Sequence, residues 1–194
     1  MIIGLMAVSD FPLTTVCLKD LAEHCDVVSI RYDLLNGQGN ILGDCLHLLK
    51  YMNVKYKLIT GKSNWNRWRW RSELVCSVAD MSPGLILFPD HDEQFGTRWW
   101  ESEIDTFIRT DAMKALFDYQ MVTADGREVK RYPAAKHCKA FKFDPEVNFE
   151  PYAGYAIPNY PLMGAFESSY IAESKMKHLC FYTESMEENK ILHK

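Results

Sequence analysis

The first half of the chain alternates short apolar runs with stretches of helical spacing. Residues 2–8 (IIGLMAV) form a continuous apolar run, suited to a strand covered on both faces. Ser9-Asp10 supplies a helix N-cap and Pro12 a first-turn proline, and Leu13, Val16, Cys17, Leu21 and His24 then recur at helical spacing. Residues 26–33 (DVVSIRYD), rich in β-branched side chains and followed by the turn former Asn36-Gly37, predict a second strand. Ile41, Leu42, Cys45, Leu48, Leu49 and Met52 predict a second helix, and 55–60 (KYKLIT), closed by Gly61, a third strand. A third helix carries Leu74, Val75 and Val78 and stops at Ser82-Pro83-Gly84. A fourth strand, 85–89 (LILFP), runs into Asp90-His91-Asp92-Glu93.

Strands separated by helical stretches of this length imply βαβ units, and hence an α/β fold with a mainly parallel sheet flanked by helices. Ligands bind such sheets beyond the carboxyl ends of the strands. Ser9-Asp10, Asp33, Gly61-Lys62 and Asp90 to Asp92 all fall there.

The second half follows another pattern. Residues 99–117 have helical stretches, and Asp125-Gly126 predicts a hairpin turn between YQMVTA and REVKRY. Residues 143–161, rich in Pro, Tyr, Asn and Gly, read as a long ordered loop, and 166–190 as a mixed helical pattern. At 194 residues the expectation is one domain, 1–194, with a ligand-binding half at 1–95 and a second half at 96–194.

Composition changes this picture through charge. The net charge of -4 speaks against an anionic partner until the charges are placed. Residues 61–71 (GKSNWNRWRWR) carry +4, residues 126–143 (GREVKRYPAAKHCKAFKF) carry +5, and the remainder -13. An acidic body with two basic strips fits a local field that attracts an anion, although solvated basic faces would give the same pattern. The six cysteines are scattered without a CxxC pair, which predicts reduced thiols in a cytoplasmic protein. No run approaches the ~18 apolar residues that span a bilayer, so no membrane partner is expected.

The chemistry centres on Asp90 and Asp92. Two apart on an extended chain, both carboxylates project to one side, and such a pair at a sheet edge suits Mg²⁺ or Mn²⁺ together with water and phosphate. A capped turn is the structural alternative, since Asp commonly follows a strand.

The segment SELVCSVADMSPGLILFPDHDEQF (72–95), preceded by Trp70-Arg71, resembles the GT-A-fold glycosyltransferases, family-2-like, in which a helix leads to a strand ending Asp-x-Asp-Glu. MKHLCFYTES (176–185), followed by Lys190, resembles their closing segment. The whole is most similar to compact, phage-type members. The resemblance implies a Rossmann-like nucleotide-diphospho-sugar transferase fold, with Asp90, Asp92 and His178 holding Mn²⁺ or Mg²⁺ against the diphosphate of a nucleotide sugar, UDP-sugar foremost. It also implies that Val8, Ser9, Asp10 and Asp33 cradle the base and ribose, with Lys62 and His91 nearby.

The implied reaction moves a sugar from the nucleoside diphosphate to an acceptor hydroxyl, with Asp92 and Arg71 as catalytic groups. A guanidinium binds phosphate bidentately, which gives Arg71 its role. An inverting enzyme also needs a carboxylate base, for which Asp118, Asp144 and Glu167 are candidates. Arg127, Lys130, Arg131, Lys136 and Lys139 suggest an anionic acceptor, one form of which is a hydroxyl-bearing base in phage DNA; a glycan is another. Two alternatives stay open: a binding module without catalysis, and a nucleotidyltransferase or nucleotide-sugar hydrolase using the same Asp pair.

Overall fold

The computed structural model describes residues 1–8, 13–33, 40–61, 67–123, 128, 136–143, 148–152, 155–159 and 169–180, with the main chain alone described at 33, 67–69, 148–152, 155–159 and 180. The first half follows the predicted order: β1 (Ile2–Val8), α1 (Thr14–His24), β2 (Val27–Asp33), α2 (Ile41–Tyr51), β3 (Lys55–Gly61), α3 (Arg67–Val78) and β4 (Leu85–Leu87). β1 pairs in parallel with β2 and β4, and β2 in parallel with β3.

Alternation along the strands divides the core in two. Ile3, Leu5, Val27, Ile86 and Phe88 face Leu74, Val75 and Val78 of α3. Met6, Val8, Val28 and Ile30 turn the other way, onto Cys17, Leu18 and Leu21 of α1 and Cys45 and Leu49 of α2. Each large side chain so buried contributes about 1.5–3 kcal/mol. Gly4 lets α1 approach the sheet: a Cβ there would lie 3.1 Å from Cys25 Sγ and 3.2 Å from Leu21 Cδ1, so tight that these side chains would have to give.

The second half departs from its prediction. A π-helical turn, Trp99–Glu103, runs into α4 (Ile104–Arg109), as expected for 99–109. Before it lies β5 (Glu93–Gln94), and after it β6 (Lys114–Phe117) and β7 (Tyr119–Thr123). Residues 114–117 are therefore strand, not helix. A short apolar run fits either period, and pairing with β8 (His137–Lys142) decides it. The stretch expected as loop contains β9 (Asn148–Tyr152) and β10 (Tyr155–Asn159), an antiparallel pair. The stretch expected to be helical contains β11 (Ser169–Ile171) and β12 (Met176–Cys180). Residues 171–176 alternate exposed and buried, yet their inward positions include Ala172 and Ser174, too small or polar to register as an apolar period. The Asp125-Gly126 turn lies outside the described residues, while Val122 and Glu128 form an antiparallel bridge.

The large sheet has the order β11-β6-β8-β4-β1-β2-β3. β8 runs antiparallel to β4 and β6, and the other neighbours are parallel. A smaller sheet, β5-β12-β7, stands beside it. The chain passes from one sheet to the other at Asp118, between β6 and β7. Among the described residues, no helix is long and apolar enough to cross a membrane.

Candidate functional site

The connection through α1 carries the chain from β1 to β2 on one side, and the connection through α3 brings it back to β4 on the other side of β1. The crevice at such a topological switch is where open α/β sheets bind ligands. Val8 ends β1 there, and Phe88 to Asp90 leave β4 beside it.

The acidic residues do not continue as an extended strand. Glu93 N–H donates to the Asp90 carbonyl at 3.1 Å, and the Glu93 carboxylate accepts the Asp90 N–H at 2.7 Å. This closed turn sends Asp90 and Asp92 in different directions, which corrects the expectation of two carboxylates on one side.

Asp90 turns to two cations. Arg71 Nη2 donates to its Oδ1 at 2.7 Å, and Lys139 Nζ to its Oδ2 at 3.0 Å. Burial alone would raise this carboxyl, but Lys139 and then Arg71 overcome that and hold it well below the usual carboxylate range. Arg71 also lies over the Phe88 ring, 5.3 Å from its centroid.

Asp92 turns to His178, whose Nε2 is 3.0 Å from Asp92 Oδ2, with both side chains about a quarter exposed (21% and 27%). Strand register makes this pair. β12 places His178 opposite Glu93 on antiparallel β5 and opposite Met121 on parallel β7, and Leu179 N–H donates to the Asp92 carbonyl at 2.7 Å. His178 Nδ1 lies 3.0 Å from Met121 Sδ. Burial opposes both charges, yet the mutual hydrogen bond lowers the Asp92 carboxyl and raises the His178 imidazole from their ordinary values.

Glu93 is buried. Lys139 Nζ is 2.7 Å from its Oε2, and the Tyr119 hydroxyl donates to its Oε1. The Tyr119 ring stacks on His137 at 4.1 Å and leans towards His178 at 5.7 Å. Burial and the neighbouring acids push the Tyr119 hydroxyl up, so it stays a donor.

One donor atom each from Asp92, Glu93 and His178 lies within 4.8 Å of the others. Carboxylate oxygen with imidazole nitrogen is a donor set suited to Mn²⁺ or Mg²⁺, and Asp92 and His178, partly open to solvent, fit such an ion. Asp90 stands outside this group, against the expectation that it is a ligand: its oxygens are engaged by Arg71 and Lys139.

The other predicted residues fall as follows. Val8 buries its side chain in the core, leaving only main chain at the sheet edge. Asp33 ends β2 opposite Gly61, and its side chain, like Ser9, Asp10 and Lys62, lies outside the described residues. His91 is half-buried in the turn and acts electrostatically on Asp92. Arg71 is largely buried and pairs with Asp90. Asp118 pairs with Lys136 at 3.2 Å, both half-exposed, while Asp144, Glu167, Arg127, Lys130 and Arg131 are outside the described residues. Lys139, expected to face an acceptor, is buried against Asp90 and Glu93, which corrects that reading.

Glu93, Tyr119 and His137 were not singled out. Glu93 adjoins the Asp pair and could have been found by proximity; Tyr119 and His137 have no sequence signal, because strand pairing alone brings them to the turn.

No family model and no curated protein matches the chain. Among solved structures, the chain is similar to S. aureus TarS 1–349 in complex with UDP, with 16% identity, 67% of this chain and 38% of that chain covered, and a TM-score of 0.51. It is similar to the same TarS fragment with UDP-GlcNAc at 17% identity, 67% and 37% coverage and a TM-score of 0.50. It is also similar to GalNAc-T7 with UDP, GalNAc and Mn²⁺ at 10% identity, 93% and 44% coverage and a TM-score of 0.57. The chain thus spans less than half the length of each neighbour. These neighbours are GT-A glycosyltransferases, and the likeness is one of fold: a mixed α/β domain with a mainly parallel central sheet.

Proposed function

We propose that this chain is a metal-dependent glycosyltransferase that moves a sugar from a nucleoside-diphosphate sugar, a UDP-sugar foremost, to an acceptor hydroxyl. The observation that carries the reading is the Asp92–His178 pair at 3.0 Å, at the switch point of a GT-A-type sheet. Neighbours of this fold are recorded with UDP, UDP-GlcNAc and Mn²⁺, which supports the donor class and the ion.

Asp92 and His178 would hold the cation, which when bound supplies positive charge against the leaving diphosphate. His178, by its hydrogen bond and charge, and then His91 lower the Asp92 carboxyl against the effect of burial and favour its ionised form. Lys139 and then Arg71 hold the Asp90 carboxyl well below the usual carboxylate range, against the effect of burial. Transfer breaks the bond from the anomeric carbon to the phosphate oxygen and forms one to the acceptor oxygen, whose proton must pass to a base. Asp118 is the one candidate base with described surroundings, and Lys136 keeps company with its carboxylate.

In the strip at 126–143, Lys136 pairs with Asp118, Lys139 with Asp90 and Glu93, and Lys142 donates to the Thr110 carbonyl. These three serve the fold, and nothing in them favours a DNA acceptor over a glycan.

The test is thermal unfolding with UDP, with and without Mn²⁺. Stabilisation only when both are present is expected, since a ligand that binds the native state raises its stability by mass action. Equal stabilisation in chelator overturns the metal-dependent reading. Product analysis with labelled UDP-sugar and a panel of glycan, protein and DNA acceptors then reads the reaction: UDP plus labelled acceptor for a transferase, and free sugar plus UDP for a hydrolase; a nucleotidyltransferase is read in a parallel assay with UTP and a sugar phosphate, by the pyrophosphate released.

A further inference from the structure

Three acids, Asp90, Asp92 and Glu93, occupy four consecutive positions, and two of them face basic side chains: Asp90 meets Arg71 and Lys139, and Glu93 meets Lys139. Lys139 is the unusual member. It sits on β8, the antiparallel strand beside β4, where its carbonyl accepts the Phe88 N–H at 3.0 Å. Its side chain is 4% exposed, with Nζ 3.0 Å from Asp90 Oδ2, 2.7 Å from Glu93 Oε2 and 5.8 Å from the Tyr119 ring centroid. A buried ammonium costs several kcal/mol unless its partners compensate it, and here two carboxylates do.

Resting on the metal-site reading above, we propose that Lys139 is a positioning residue of the metal centre. It is a resident cation that keeps Asp90 and Glu93 off the metal and holds affinity for the bare ion low, so that metal and diphosphate are retained together.

Charge and donor capacity give Lys139 this role. Glu93 has no oxygen to spare: Oε1 accepts the Tyr119 hydroxyl, and Oε2 accepts Lys139 and the Asp90 N–H. Asp90 is likewise engaged at both oxygens. With Arg71 and Lys139 balancing these two acids, Asp92 is the carboxylate left to meet a divalent cation. A bare +2 ion there leaves the centre positive, and a diphosphate restores balance. Without Lys139 the same ion meets one more unbalanced carboxylate, and the attraction between close charges of this size in a sheltered site exceeds a tenfold change in affinity.

The experiment titrates Mn²⁺ into the full chain, followed by electron paramagnetic resonance of the free ion, with and without UDP. The wild type is expected to bind Mn²⁺ weakly alone and more tightly with UDP. Lys139→Met is expected to bind Mn²⁺ alone about tenfold or more tighter, with the enhancement by UDP reduced, and Lys139→Arg to behave as wild type. Because Lys139→Met leaves buried carboxylates without their partner, a second pair guards against misfolding. Glu93→Gln is expected to weaken Mn²⁺ binding about tenfold, and adding Lys139→Met to it restores wild-type affinity by restoring the charge. Unchanged affinity in Lys139→Met overturns the proposal. So does a Glu93→Gln variant that binds as wild type, or one that the second substitution does not rescue, the latter marking Glu93 as a ligand. A wild type that takes up no Mn²⁺ even with UDP refutes the metal reading itself, a result distinct from these.

Discussion

The two halves of the molecule contribute to the acidic turn in different ways. The half up to β4 supplies Arg71, Asp90, Asp92 and Glu93 from one helix and the turn that follows the next strand. The second half supplies Tyr119, Lys139 and His178 from three strands in two sheets. The first half thus delivers the anions, and the second decides which of them is neutralised and which is left to act. A motif of acids is a local property; their charge state and direction are not.

Ligand binding tests this division most severely. Asp92→Asn is expected to abolish the Mn²⁺-dependent stabilisation by UDP in a thermal shift assay. His178→Ala is expected to weaken it about tenfold or more, the loss of roughly 1.4 kcal/mol or more of binding. A His178→Ala protein with the full wild-type response breaks the comparison, because the site would then belong to the first half alone.

Unfolding asks whether the halves are one unit. Trp99 packs among Phe95, Phe107 and Phe117, and Trp99→Ala is expected to cost about 3–5 kcal/mol. Leu21, buried in the first half, is expected to cost about 2–5 kcal/mol on truncation to Ala. If both shift a single urea transition, the halves form one cooperative domain, as the shared core implies. Two separate transitions would divide them.

A smaller effect probes a tie between the halves. Asp20 on α1 accepts the Phe95 N–H and the Trp100 Nε1–H, each at 3.0 Å. Burial raises its carboxyl above the ordinary 3.8, outweighing those donors. A folded value above the unfolded one contributes stability that is fully present below the unfolded value and is lost as pH rises through the folded value. Urea midpoints measured upward from about pH 4 should therefore fall for the wild type relative to Asp20→Asn; parallel profiles would remove Asp20 as a titrating tie.

The smallest expected effect is chemical. Among the cysteines whose side chains are described, Cys76 is exposed, whereas burial pushes the Cys45 and Cys138 thiols up to about 12. Limited alkylation followed by mass spectrometry should label Cys76 first and leave stability unchanged.

The legible part of the fold is the part made of near neighbours in sequence. Leu13, Cys17 and Leu21 announce α1 by spacing, and the run at 2–8 announces β1 by its apolar density. β6 and β12 were hidden for opposite reasons. β6 is apolar enough to fit a helix until β8 pairs with it, and the approach to β12 puts Ala172 and Ser174 inward. The acids are legible from their place at the end of an apolar strand, and the resemblance at 176–185 points to His178. The role of Lys139 is not legible, because a lysine in a basic strip gives no sign that it will be buried.

The sequence by itself determined the order of strands and helices up to β4, the carboxylates placed at a strand's end, and the residues that resemble a nucleotide-sugar transferase. Only the tertiary structure decided that Asp90 meets Arg71 and Lys139, that Lys139 belongs to the turn rather than to an acceptor, and that His178 meets Asp92. The physical reason is range. Periodicity and capping act over a few residues, whereas these ion pairs join strands far apart in the chain and exist only once β8 and β12 have taken their register.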